Sequence, residues 1–179
     1  MSAAKSYTPI DIKIYAMDFG SWSLNLFGSL PHVGGVANDN DEEKIYKLVN
    51  MLKKEIDTRK RNFAMNGIIN IKIYEQTTGE KLPFILLLID NFNALFSIYP
   101  DLDEFFIKLS REGAAYGIYM IGTVSGISGV SYKIINNIKN NISLQLKDKS
   151  EYSAVVGKTD GLEPENNEGR GLIRGTPFA

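Results

Sequence analysis

Near the start of the chain, Asp11-Ile-Lys-Ile-Tyr-Ala-Met17 alternates between polar and apolar residues and then becomes continuously apolar. A period of two predicts a β-strand, closed where Asp18-Phe19-Gly20 brings turn chemistry. A loop containing Leu30-Pro31-His32-Val33-Gly34-Gly35 follows, and the cluster Asn38-Asp39-Asn40-Asp41 offers caps for a long helix. In that helix Ile45, Leu48, Val49, Leu52 and Ile56 recur at helical spacing. Glu43 with Lys47, Glu55 with Arg59 and Asp57 with Arg61 are favourable i,i+4 charge pairs. The helix should end near Asn66-Gly67. The segment from Ile68 to Gln76 fits no single period, and Thr77-Thr78-Gly79-Glu80 reads as a turn.

Phe84-Ile-Leu-Leu-Leu-Ile89 is apolar throughout, as expected for a strand covered on both faces in the middle of a parallel sheet, and it runs into Asp90. Pro100-Asp101 should open a helix with Leu102, Phe105, Phe106 and Leu109 inward, Glu104 completing a capping box and Gly113 ending it. Gly117 to Gly122 predicts the next strand. A short helix is expected from Ser131 to Asn140 with Ile134, Ile135 and Ile138 inward, then an alternating strand Ile142-Ser-Leu-Gln-Leu146. Gly157 to Gly169 is rich in turn residues and leads to a short strand, Leu172-Ile173-Arg174. Strands and helices alternate, so the fold class is α/β.

Composition narrows the function classes. A chain of 179 residues, 44% hydrophobic and 23% charged, fits one compact domain. Its longest apolar run has six residues, against about twenty for a membrane-spanning helix, and the first residues lack the apolar stretch of a secretory signal. With no cysteine and a single histidine, neither thiol chemistry nor a zinc site of thiolates and imidazoles can be built. The 20 Lys and Arg against 21 Asp and Glu leave a formal charge of −1, so no global positive field draws in DNA.

Candidate chemistry centres on Asp90. A carboxylate ending an apolar central strand points into the crevice at the carboxyl ends of a parallel sheet, where α/β proteins bind ligands and where a Walker B aspartate sits. The following residue is Asn91. An amide can hold a water but cannot take its proton, so weak or absent hydrolysis is expected. Thr123, ending the next strand, would lie beside Asp90 if the two strands are neighbours and could sense a terminal phosphate. Gly157-Lys158-Thr159 spells the end of a phosphate-binding loop, yet Tyr152 stands where that loop needs a glycine, so a surface turn is expected. Asp18-Phe19-Gly20 spells a kinase magnesium motif without the rest of a kinase; Asp18 is expected to end a strand beside a turn glycine. His32 reads as a polar surface group and Trp22 first as a partly buried core residue, with an exposed apolar contact patch beside Phe19 and Leu24 as its alternative. Arg170 and Arg174, around a glycine-bounded strand, could reach a phosphate but read first as solvated.

Several stretches, in order and spacing, together resemble the FtsK/SpoIIIE ATPase family, and within it the EssC/EccC (YukB-like) motors of type VII secretion more than the DNA translocases. They are Tyr15-Ala-Met-Asp-Phe-Gly20, Leu30-Pro-His-Val-Gly34, Glu55-Ile-Asp-Thr-Arg59 and Leu87-Leu-Ile-Asp-Asn-Phe92. Further along come Arg111-Glu-Gly-Ala-Ala-Tyr-Gly-Ile118, Asn136-Asn-Ile-Lys139, Ile142-Ser-Leu-Gln-Leu146, Ser150-Glu-Tyr-Ser-Ala-Val-Val-Gly157 and Gly169-Arg-Gly-Leu172. The resemblance implies a RecA-like P-loop NTPase core with a mainly parallel sheet flanked by helices, as one FtsK/SpoIIIE-like domain over 1–179, a second or third module of its parent motor. In the family the Walker A loop lies just before the strand at Ile12 to Met17. This sequence starts after it, so the reading is a core truncated at its N-terminus, and no tight nucleotide binding is expected of the fragment alone.

The intact parent is expected to use ATP and magnesium, with Asp90 contacting magnesium through water, Asn91 replacing the catalytic carboxylate, Thr123 reporting on the terminal phosphate and Arg170 as a further phosphate contact. Expected partners are neighbouring ATPase modules of the same polypeptide or ring and small helical secreted proteins. DNA is not expected, since Gly122-Thr-Val-Ser-Gly126 departs from the Ala-Thr-Gln-Arg-Pro of DNA-translocating relatives. The segment itself should not touch the membrane. Its implied setting is the cytoplasmic part of a bacterial membrane-anchored protein. The alternatives are a DNA-translocating motor and a substrate-docking module that needs no nucleotide.

Overall fold

The computed structural model describes residues 2–146, 148–164, 167, 169–173 and 176–178. The chain forms two compact units, Met1–Val124 and Ser125–Ala179.

The first unit runs α1 (Ser2–Ser6), β1 (Ile12–Asp18), β2 (Val33–Asn38), α2 (Glu42–Met65), α3 (Ile71–Thr78), β3 (Phe84–Asp90), α4 (Phe92–Ile98), α5 (Asp103–Glu112) and β4 (Ile118–Gly122). Short 3₁₀ turns lie at Ser23–Phe27, Pro100–Leu102 and Gly113–Tyr116. Its strands form one sheet in the order β2-β1-β3-β4, every pairing parallel, with Asp18 of β1 in register with Asp90 of β3. Parallel neighbours need helical crossovers, and the alternation of elements along the chain supplies them.

Ile85, Leu87 and Ile89 of β3 are buried, whereas Leu86, Leu88 and Asp90 on its other face are half-buried. The expectation of equal burial on both faces therefore holds for one face only. Helices pack on the closed face. Burial raises the pKa of Tyr15 there, with the charge of Glu55 on α2 adding to it, and the Phe92 ring of α4 fills the space where Gly122 would carry a side chain. On the other face Tyr119 and Ile121 of β4 stay exposed.

Helix α2 buries Ile45, Val49, Leu52, Ile56, Arg59 and Phe63. Asp41 supplies its N-cap residue and Glu42 and Glu43 its acidic first turn, which complements the positive end of the helix dipole. The segment without a clear period resolves as α3, because the Asn70 side chain accepts the N–H groups of Lys72 and Ile73 at 3.1 Å each and Gly79 closes the helix at φ 72°. The capping box expected before α5 does not form: Asp101 instead accepts a hydrogen bond from the Tyr46 hydroxyl at 2.9 Å. Val33–Asn38, whose first three residues fall in the stretch read as loop, is an edge strand. Gly34 lies against the Tyr15 ring, where any side chain would collide.

The second unit runs α6 (Tyr132–Asn137), β5 (Ile142–Ser143), α7 (Glu151–Val156), β6 (Gly171–Ile173) and β7 (Thr176–Phe178), with an antiparallel sheet β5-β6-β7. Tyr152, Val156 and Leu172 form its core. The strand expected over Ile142 to Leu146 keeps two residues. Leu146 gives its N–H to the Tyr152 hydroxyl at 2.7 Å rather than to a neighbouring strand.

Candidate functional site

β1, β3 and β4 end at the same rim of the sheet, and their last residues converge. Thr123, one residue past β4, donates its hydroxyl to Asp90 Oδ1 at 2.6 Å and accepts the Asn91 N–H at 2.9 Å. Its backbone continues the ladder, with Thr123 N–H on Ile89 O at 3.0 Å and Phe92 N–H on Thr123 O at 2.9 Å. The structure thus brings Asp90, Asn91 and Thr123 together, as the adjacency of the two strands requires.

Asn91 sits in the left-handed region at φ 63°, ψ 69°. Its side-chain oxygen accepts the Ala94 N–H at 3.3 Å, capping α4, and its amide donates to Phe19 O at 3.3 Å. Left-handed geometry suits asparagine better than most residues. The amide thus also ties the start of α4 to the loop at Phe19, a role that the sequence did not signal.

Asp18 is fully buried and serves the loop behind the rim. Its Oδ1 accepts the N–H groups of Gly20 and Trp22 at 3.1 Å each, and its Oδ2 that of Leu24 at 2.8 Å. Three main-chain donors satisfy a buried carboxylate and fix residues 19–24 in one course. Phe19 N–H donates to Asp90 O at 3.1 Å, so this loop is tied to the end of β3 through the main chain. Gly20 lies so close that an added Cβ would overlap Asp90 Oδ2. Sequence reasoning saw only a turn glycine there; the Asp-x-Gly spacing carried no hint of the contact with Asp90.

Two expectations are corrected. His32 is buried, only 7% exposed, with Nε2 at 2.8 Å from Tyr7 O. It is held there because its own carbonyl accepts the Ile14 N–H at the start of the sheet. Trp22 is 47% exposed rather than core, held by its left-handed backbone (φ 58°) and by an Nε1–H bond to Asp39 at 3.1 Å. Lys158 follows the Gly157 end of α7 with its side chain 90% exposed, a surface turn as expected. Arg170 belongs to the second unit, where its N–H donates to Asn167 O, and Arg174 lies outside the described residues.

Two surface hollows run along α2 and its N-terminus, one past Lys47, Lys54 and Glu55 and the other past Asp41 and Tyr46. Their walls are mixed-charge and solvated, and neither includes Asp90, so the converging rim is the better candidate. Among the described residues no three acidic or histidine side chains gather as a metal cage. One carboxylate with an adjacent hydroxyl fits magnesium, which keeps most of its waters and takes few protein ligands.

A carboxylate and a hydroxyl side by side at the carboxyl ends of a parallel sheet lie where open α/β domains bind their ligands. The model of the FtsK/SpoIIIE family matches residues 1–160, and the chain belongs to that family. It is 37% identical over 165 residues to the ESX secretion system protein YukB of Bacillus subtilis (strain 168), covering 92% of this chain and 11% of that protein. EssC (ATPases 2 and 3) from Geobacillus thermodenitrificans superposes with a TM-score of 0.92 at 32% identity, over 98% of this chain and 34% of that one. Thermomonospora curvata EccC (ATPases 2 and 3), in complex with a signal sequence peptide, gives a TM-score of 0.87 at 29% identity, over 98% of this chain and 33% of that one. The chain thus spans about a tenth of the length of the curated relatives it matches. Among the described residues no helix is long and apolar enough to cross a membrane.

Proposed function

We propose that the chain is part of an ATP-binding module, the second or third, of a type VII secretion motor that exports small helical proteins. The observation that carries this is Asp90, held at the rim of a central parallel strand with the Thr123 hydroxyl on one oxygen. Magnesium and the triphosphate would supply the charge that this carboxylate answers. Asp90 would meet the hydrated cation through water and Thr123 would lie toward the terminal phosphate. In place of a glutamate to activate water, Asn91 caps α4. The module therefore holds nucleotide and reports its presence more than it consumes it. Its partners would be neighbouring modules of the same polypeptide or ring, on the cytoplasmic side of a bacterial membrane.

Magnesium-dependent ATP binding by the motor polypeptide, measured by calorimetry, tests this reading. Affinity that ignores magnesium and is unchanged by Asp90→Asn would defeat it. A second reading, a docking module for a secreted peptide, draws on the engaged amide of Asn91 and on the peptide held by the Thermomonospora relative. Capture of a helical secreted protein to the same extent with and without nucleotide would favour it. A DNA-translocating role predicts duplex binding that weakens steeply with salt, for which a net charge of −1 offers no driving force.

A further inference from the structure

The Thr123 hydroxyl has one proton to give, and it gives it to Asp90 Oδ1 at 2.6 Å. The lone-pair side of the same oxygen receives the Asn91 N–H at 2.9 Å. A hydroxyl so engaged has no donor left for a phosphate oxygen. The opposite side of the carboxylate is bounded by Gly20, whose missing side chain leaves the space that Asp90 Oδ2 occupies. Gly20 is itself placed by the buried Asp18 carboxylate, which accepts its N–H at 3.1 Å. The backbone at Gly20 is not in the left-handed region. A glycine is called for there by space, not by φ.

We infer that Thr123 and Gly20 are positioning residues for Asp90: together they set the rotamer of its carboxylate, and Thr123 does not read the terminal phosphate. Thr123 supplies a charge-assisted hydrogen bond to one oxygen, and Gly20 supplies the clearance for the other. This rests on the nucleotide-binding reading above and reassigns one residue within it. It also sets the two roles of Thr123 apart by chemistry. A phosphate sensor distinguishes ATP from ADP, whereas a residue that orients the metal carboxylate affects magnesium binding with either nucleotide.

The first arm of the test needs no nucleotide. In the 179-residue chain labelled with carboxyl-13C aspartate, the Asp90 Cγ resonance is assigned as the one lost in Asp90→Asn. Thr123→Val and Gly20→Ala should each move that resonance, and Thr123→Ser should leave it in place. Thr123 is exposed, so the valine and serine variants keep the fold even if Gly20→Ala does not. A Cγ resonance unmoved by Thr123→Val overturns the inference.

The second arm uses the motor polypeptide with magnesium and either ATP or ADP. Thr123→Val should raise the magnesium concentration for half-maximal binding about tenfold with both nucleotides, with serine restoring it. A loss confined to ATP would return Thr123 to phosphate sensing and overturn the inference. If wild-type protein binds neither nucleotide, the broader functional reading fails, while the Cγ shift still decides whether Thr123 and Gly20 position Asp90.

Discussion

Two charged side chains at the residue scale show how much of this molecule depends on carboxylates facing main-chain donors. Removing the Asp18 carboxylate leaves three N–H groups without their acceptor in a buried place. Asp18→Ala should therefore lower unfolding free energy by about 3 kcal/mol in urea titration. The same variant should perturb Asp90, because the loop that Asp18 holds is bonded to the Asp90 carbonyl. Asp11 works differently. The Lys81 ammonium, bonded to its carboxylate, and then the Thr8 hydroxyl and N–H hold its pKa well below the usual carboxylate range. A folded value below the unfolded one, about 3.9, adds stability that is fully present above that unfolded value. The contribution is lost as pH falls toward the folded value. Asp11→Asn should flatten this part of the acid limb in a pH series of thermal melts, and high salt should shrink the difference, since the pair is solvent-exposed.

At the scale of elements, α2 shows what a hydrophobic stripe conceals. Arg59 falls on the inward face, 1% exposed, with Nε on Glu55 at 2.7 Å and its other nitrogens on Tyr116 O at 2.7 Å and Pro83 O at 2.8 Å. It fastens the helix to the segments leading into β3 and β4. Sequence reading made it one half of an i,i+4 pair and no more, because periodicity reports apolar positions and a buried guanidinium with carbonyl partners leaves no apolar trace. Arg59→Ala should cost about 3 kcal/mol in chemical denaturation, chiefly by leaving those carbonyls unmet.

The long helix α2, the central strand and the strand after α5 were legible because each presents many apolar positions in one period. β2 and α4 were not. β2 is a glycine-bearing strand stabilised by pairing with β1, a non-local cause that local composition cannot carry. α4 starts one residue after β3 and is set by the left-handed Asn91, which looks from sequence like part of a metal motif rather than a helix cap. Of the candidate site, the adjacency of Asp90 and Thr123 followed from strand order. The clearance at Gly20 and the hydrogen bonds of Asn91 followed from packing and had no sequence signal. Because that asparagine is a cap, Asn91→Glu is expected to weaken α4 by about 1 kcal/mol in thermal melts. It should not restore ATP turnover in a phosphate-release assay of the motor polypeptide.

Across the whole molecule, two units make up the chain, and the rim carboxylate belongs to the first of them. The family places that unit among P-loop ATPase domains, and on the proposed reading its share of the site is one carboxylate, one hydroxyl and one glycine clearance. On that reading the contribution of the first unit is the cation side of the site. Asp90 is the point where that contribution is concentrated. The most direct measurement is calorimetric titration of the motor polypeptide with ATP, with and without magnesium, for wild type and Asp90→Asn. The account predicts that the asparagine variant loses the magnesium-dependent gain in affinity, by about tenfold or more, while binding without magnesium is unchanged. Equal magnesium dependence in the two proteins would contradict it.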